Sequence, residues 1–419
     1  VFSSYGTGKA TISPSSLPAT SGDVTRHFCF DLEAETGNAF IFDSLIFNGW
    51  DFVQQNPRGS SGGPWDLNGA IRAYRVQDII IRDCEFIGGT TGKGIGNAYD
   101  VSCHITARYH EYNAFPPTTP VNPIQIVRCS FTGGDKAIWL QGSINAFIEN
   151  NTYTSIRRTA NNAAGQRDLT FRFNRGTHIG GAFIEAHAAQ RGVLILLNFL
   201  DGYMWNKDDM GAFYTWDNIS AFGGDPLYAG RSYMVGNVAI NEIDNGLTTS
   251  PRPLQIGIYL DDQARGWLVA ENVIRGNTGG KSTLLAPAYL HNARDNELRN
   301  NIFMGGRDAM LFREDNIVVQ YEPTFSMEGN KLFGNIILSG QSQTAGDRER
   351  NFAVTLQSVI SGTRTATNFV TESGGNYYAC DVSSSCFVTN YDHGVTFTRY
   401  SLAGWAAVSD GDETGSVFL

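Results

Sequence analysis

Apolar and polar positions recur along this chain as one phrase: a short apolar strand, a small or amide residue, a second apolar pair, then a glycine-rich or polar turn. It reads FIFDSLIFNG, IIIRDCEFIGG, IQIVRCSFTGG, AFIENNTYTS, LILLNFLDG, YMVGNVAINE, WLVAENVIRGN, ELRNNIFMGG and KLFGNIILSG. Runs this short, bounded by turn residues, predict strands rather than helices. Their recurrence predicts a solenoid, because one such unit cannot bury its apolar face alone and must stack on the next. Aligned on the residue before the second apolar pair, the phrases form a column of Ser44, Cys84, Cys129, Asn151, Asn198, Asn237, Asn272, Asn301 and Asn335. Asparagine tolerates left-handed backbone, and its amide can pair with the amide one layer away, so the column suits a bend repeated in every coil. The spacings run from 22 to 47 residues. The shortest approximates one bare coil, and the excess elsewhere is loop.

The expectation is an all-β protein, a right-handed parallel β-helix of nine or more coils with a C-terminal cap. A β-propeller or sandwich predicts more regular hairpin turns and leaves the asparagine column unexplained. The whole chain, 1–419, reads as one domain: 1–40 an N-terminal segment with the first coil, 41–345 the central coils, and 346–419 the last coils and cap. Stretches after Phe86 and from Arg157 to Gly181 read as insertions that wall a groove.

A second strand in each coil can be compared across repeats: GAIRAYR, KAIWLQG, GAFIEAHA, GAFYTWDN, IGIYLDDQ, APAYLHNA and AMLFREDN. With small and aliphatic positions turned inward, alternation turns outward the pairs Arg72/Tyr74, Trp139/Gln141, Glu185/His187, Tyr214/Trp216, Tyr259/Asp261, Tyr289/His291 and Arg313/Asp315. Aromatic rings beside carboxylates and imidazoles are what a sugar requires, an apolar face to stack on and polar partners for its hydroxyls. The substrate-binding candidates are Trp139, His187, Tyr214, Trp216, Tyr259, Tyr289, His291 and Arg313. Stacked aromatics also stabilise a sheet as plain cross-strand neighbours, which is the competing reading of each tyrosine.

Composition narrows this picture. The 47 glycines and 12% aromatic residues agree with strands and tight turns, and a formal net charge of −10 makes nucleic acid a poor partner. No apolar run is long enough to span a bilayer, and Val1 opens no signal sequence, so the chain reads as a mature one without a membrane segment. Cys380 and Cys386 bracket a five-residue polar loop, where a short disulfide would fit an oxidising, secreted, extracellular or periplasmic setting. Cys84 and Cys129 read as small buried hydrophobes, and Trp267 and Trp405 as packing residues.

Glycosidic cleavage needs two carboxyl groups, one to protonate the departing oxygen and one to attack or to activate water. The candidates beside the strip are Asp209, with Asp208 before it, the pair Asp261 and Asp262, and Glu185; Arg265 could orient Asp262. The segments DDMGAFYTW and GIYLDDQARGWLVAENVI resemble the Asp-x-Gly-Ala-(Ile/Phe)-Tyr and Ile-Tyr-Leu-Asp-Asp/Glu elements of right-handed parallel β-helix carbohydrate-active enzymes, most strongly from Thr170 to Gly340. The resemblance is to β-helix glycosidases of α-fucosidase, β-xylosidase and α-galactosidase type, and it implies carboxylates from neighbouring coils acting together: Asp209 with Asp261 or Asp262. Met210 departs from that motif, where a small residue is usual.

The expected function is therefore a glycoside hydrolase acting on a polysaccharide or oligosaccharide, with Asp209 and Asp261 as the pair and Asp262 or Glu185 as alternates. A polysaccharide lyase, using His187, Tyr214, Arg313 and Lys207 with calcium neutralising a uronate, is the first alternative. A non-catalytic glycan-binding adhesin is the second. No cofactor is required by the hydrolase reading, and neither His187 nor His291 sits in a pattern that points to a metal.

Overall fold

A computed structural model describes residues 1–4, 8–13, 28–33, 39–49, 69–76, 78–88, 103–108, 124–187, 192–204, 209–216, 231–243, 255–276, 284–306, 308–315, 327–339, 352–358, 365–380, 387–390, 398–409, 413 and 415–418. Each coil contributes one strand to each of three sheets, which hold 12, 13 and 13 strands among the described residues. Neighbours in every sheet are one coil apart and parallel, except that Thr398–Tyr400 closes the third sheet antiparallel to Phe387–Asn390. The chain is a parallel β-helix, as its repeats predict. No helix among the described residues is long and apolar enough to cross a membrane.

The asparagine column sits at the bend between the first and second sheets. Each Nδ2 donates to the Oδ1 of the next amide, from Asn151 through Asn174, Asn198, Asn237, Asn272, Asn301 and Asn335 to Asn376, at 2.8–3.2 Å. Its second hydrogen reaches a backbone carbonyl, as from Asn272 to Met234, and each Oδ1 also accepts the backbone N–H of the preceding Asn. Every amide hydrogen is used, so these polar groups can be buried without the cost of an unmade bond.

Three details of the column differ from the sequence expectation. The left-handed residue is the one before the asparagine (Asn150, Phe173, Leu197, Gly236, Glu271, Asn300), so the amide is there for its ladder and not for its backbone preference. Ser44 is itself left-handed and bonds to Arg82 carbonyl, while Leu45 stands in the column one residue on. Asn174 and Asn376 were absent from the expected column: the 47-residue gap from Asn151 to Asn198 holds two coils, and Arg157–Gly181 is therefore not an insertion but carries the strands Thr159–Ala164, Thr170–Arg172 and Arg175–Ile179. Their sequences, TANNAA and TFRFNRGTHI, are too polar to advertise the phrase.

Inside the solenoid, like residues stack on like. Phe47, Phe86, Phe131 and Tyr153 form a continuous ring stack at 4.8–5.1 Å and 7°. Cys84, Cys129 and Trp267 are buried, as their apolar contexts imply. At the C-terminal end the helix Leu402–Ser409 covers the last coil, with Trp405 wholly buried on Phe387 and its indole N–H donating to Glu413 Oε1 at 3.0 Å. Cys380 directly follows the strand Tyr377–Ala379, half-buried. Its expected partner Cys386 lies outside the described residues, as do Lys207, Asp208 and most of the stretch after Phe86.

Candidate active site

The third sheet carries the site on its outer face. Ile258 and Leu260 belong to the interior core, whereas Tyr259 belongs to a separate outer cluster with Tyr289, so the expected register holds at the strand Gln255–Asp261. Pairing makes two outward columns. One runs Thr106, Trp139, Asn162, Glu185, Tyr214, Tyr259, Tyr289 and Leu311. The other contains Gln141, Ala164, His187, Trp216 and Asp261, and continues with His291 beside Arg313. Arg313 thus falls level with His291, not with Tyr289, and the pair facing outward on that strand is Leu311/Arg313, with Asp315 just beyond its end.

The tyrosines do not offer their faces. Tyr214, Tyr259 and Tyr289 stack on one another at 5.0 and 4.9 Å, nearly parallel, and Tyr259 and Tyr289 are buried. A sugar ring therefore meets their edges and hydroxyls instead of stacking on them. Burial is the main cause that pushes all three phenols up, with the Asp261 charge adding to it at Tyr214 and Tyr259. They remain neutral hydrogen-bonding groups.

At the C-terminal ends of these strands the column turns ionic. Asp261 Oδ2 accepts from the Tyr214 hydroxyl at 2.9 Å, and its Oδ1 accepts from His291 Nδ1 at 2.6 Å and from the backbone N–H of Asp262 at 2.9 Å. His291 Nε2 bonds Asp315 Oδ2 at 2.7 Å. Asn292 Nδ2 bridges Asp262 Oδ1 (3.2 Å) and Asp315 Oδ1 (3.0 Å), while its Oδ1 accepts the Asp315 backbone N–H. An imidazole is thus clamped between two carboxylates. Burial opposes its charge, but the hydrogen bonds and charges of Asp261 and Asp315 outweigh that and lift it to about 10. It is an imidazolium, both of whose nitrogens donate. Asp261, Asp262 and His291 also converge within 4.8 Å, close enough for a cation to bridge, though here the imidazole nitrogen facing the group is bonded to Asp261.

Asp262 differs from its neighbours. Its side chain keeps 34% of its surface exposed. Burial, then the Asp261 charge, raise its carboxyl to about 6 against the partial relief given by His291 and Asn292. Among the described residues it is the carboxyl of the group that is both solvent-reachable and raised toward neutrality.

The other two acidic candidates approach from the N-terminal side. Glu185 accepts from Asn162 Nδ2 at 2.6 Å, and Asn162 Oδ1 in turn meets His187 Nε2 at 3.1 Å. Asp209 is exposed, left-handed, and one residue ahead of the strand Met210–Trp216. The charges of both act on the Tyr214 hydroxyl, and that of Asp209 on Tyr259 as well. His187 stacks on Trp216 at 4.8 Å, and Trp139 carries Lys136 Nζ 4.0 Å over its ring.

Sequence reasoning placed Asp261, His291 and Asp315 on one face with Asp262 beside it, but gave no catalytic or binding role to Asp315, Asn292 or Asn162. Asp315 and Asn292 follow their strands, where the period-two pattern has ended. Asn162 lies in the coil hidden by its polar sequence. No family model matches this chain, and no curated protein does. Among solved structures it is similar to the A-module of the mannuronan C-5 epimerase AlgE6 of Azotobacter vinelandii, at a TM-score of 0.42 and 11% identity, over 98% of this chain and 91% of that one. A likeness at that level carries no inference about the chemistry of this chain.

Proposed function

We propose that the protein is a carbohydrate-acting enzyme, a glycoside hydrolase, in which Asp262 protonates the departing glycosidic oxygen. The observation that carries this reading is the placement of Asp262: a partly exposed carboxyl, bound by backbone and side chain to the buried Asp261–His291–Asp315 network, at the edge of a floor of tyrosine hydroxyls. Asp261 and Asp315 have both oxygens occupied and serve to position it. The sequence pattern named Asp209 and Asp261 as the pair with Asp262 or Glu185 as alternates; the acid is here taken from the alternates.

The second carboxylate is Glu185, with Asp209 as its alternate. Glu185 stands two coils from Asp261, about 10 Å along the axis at ~4.8 Å per strand. A polymeric or oligomeric glycan substrate fits an enzyme that works outside the cytoplasm.

The test is digestion of a glycan panel by wild type, Asp262→Asn and Glu185→Gln, recording new reducing ends, their anomeric configuration and the absorbance of unsaturated uronates. New reducing ends lost in both variants, without that absorbance, support the hydrolase. Unsaturated products would make the protein a lyase, and binding without cleavage an adhesin.

A further inference from the structure

We propose that the outer face of the third sheet carries a subsite for an uncharged sugar unit, formed by Gln141, Ala164 and His187. It deepens the glycosidase reading and rests on it. The three residues follow one another in a single column on successive coils, with Trp216 next in line. Gln141 and His187 are thus two coils apart, about 10 Å at ~4.8 Å per strand, with only a methyl group between them.

What marks the place is unspent hydrogen-bonding capacity. Gln141 and His187 are more than nine-tenths buried, yet neither amide atom of Gln141 nor Nδ1 of His187 has a partner, and Thr106 Oγ1 in the adjoining column is in the same condition. Buried polar atoms are almost always satisfied, so several orphans side by side on one face point to a ligand from outside the chain.

The protonation of His187 can be worked out from its neighbours. The Glu185 carboxylate can only accept, so the Asn162 amide nitrogen must face it, and the amide oxygen must then face His187 Nε2. Nε2 therefore carries the hydrogen. Burial, the first of its influences, holds the ring neutral, which leaves a bare lone pair on Nδ1. This part of the face then presents acceptors at His187 Nδ1 and Gln141 Oε1 beside one amide donor group at Gln141 Nε2. Hydroxyl groups, which both donate and accept, satisfy all of them. A carboxylate, sulfate or phosphate has only lone pairs to offer and would face two acceptors, so an anionic unit is rejected here.

Calorimetry in the Asp262→Asn background, which prevents turnover, would test this with neutral xylo-, gluco-, manno- and galacto-oligosaccharides and with oligogalacturonate. At least one neutral series should bind and oligogalacturonate should not. Gln141→Leu and His187→Phe should each weaken the neutral ligand at least tenfold without lowering the melting temperature of the free protein. Unchanged neutral affinity in both variants, equal affinity for oligogalacturonate, melting temperatures that fall while binding persists, or no saccharide bound at all would each overturn the subsite. Cleavage by wild type that survives Gln141→Leu at full affinity removes the subsite and leaves the hydrolase. Binding that depends on Gln141 in a protein that cleaves nothing does the reverse.

Discussion

Replacing Asp262 by asparagine should stabilise the protein at alkaline pH while abolishing its activity. The folded carboxyl is raised from 3.8 to about 6, so ionising it inside the structure costs more than ionising it in the unfolded chain. That displacement corresponds to about 3 kcal/mol at ~1.4 kcal/mol per pH unit. Solvent screening at a side chain one-third exposed reduces it to about 1–2 kcal/mol. The sign follows from the direction: the stability this group contributes is complete below 3.8 and is lost as pH rises through about 6. Asparagine keeps an oxygen to accept from Asn292 Nδ2 and cannot ionise. Urea unfolding of wild type and variant at pH 4 and pH 8 should show a gain of about 1–2 kcal/mol at pH 8 that nearly vanishes at pH 4. A variant less stable at pH 8, or a gain independent of pH, would refute the electrostatic account of the site and with it the reason for assigning Asp262 as the acid.

Three further outcomes follow from the same structure. His291→Phe leaves the buried Asp261 and Asp315 carboxylates without their shared cation and should cost about 3–5 kcal/mol; in wild type, the contribution of a histidine raised to about 10 is complete below 6.5 and declines as pH passes about 10, which unfolding at pH 6, 8 and 10 would follow. Asn272→Ala removes a link from the amide ladder and strands the Met234 carbonyl and the Asn237 amide, at a cost of about 3 kcal/mol read by chemical denaturation. Trp405→Ala opens a cavity over the last coil and deprives Glu413 of its indole donor, lowering stability by about 3–5 kcal/mol, with amide exchange rising first in Phe387–Asn390.

The parallel β-helix was legible because its inner faces obey strict rules: one apolar phrase per coil and one amide per bend. The coil containing Asn174 escaped because its strands bury Thr159, Asn161 and Asn162 in place of aliphatic residues, so the pattern that betrays the others is missing, and only the 22-residue bare-coil spacing could have revealed it. Alternation set the register of Tyr259 and Asp261 correctly. Two coils later it kept Arg313 and Asp315 on the outer face but matched Arg313 with Tyr289 in place of His291, and it could not say that the tyrosines spend their faces on each other. Ring orientation depends on the 4.8 Å stack, not on which residues share a face.

The same limit explains how two adjacent aspartates come to act together. Within a strand, neighbours point to opposite faces, and Asp262 would be driven into the core if the strand Gln255–Asp261 ran one residue further. The strand stops at Asp261. Asp262 then bends back so that its own N–H bonds the Asp261 carboxylate, and Gln263, left-handed, bonds the Asn292 carbonyl of the next coil. Asn292 and Asp315 leave their strands at the corresponding place, which is why Asn292 can reach Asp262 and Asp315 together. The carboxyl proposed as the acid belongs to the turn, while Asp261 and His291 beneath it belong to the sheet. One face supplies rigid, buried charges at fixed spacing, and the first residue freed from it can be exposed to substrate while still feeling those charges.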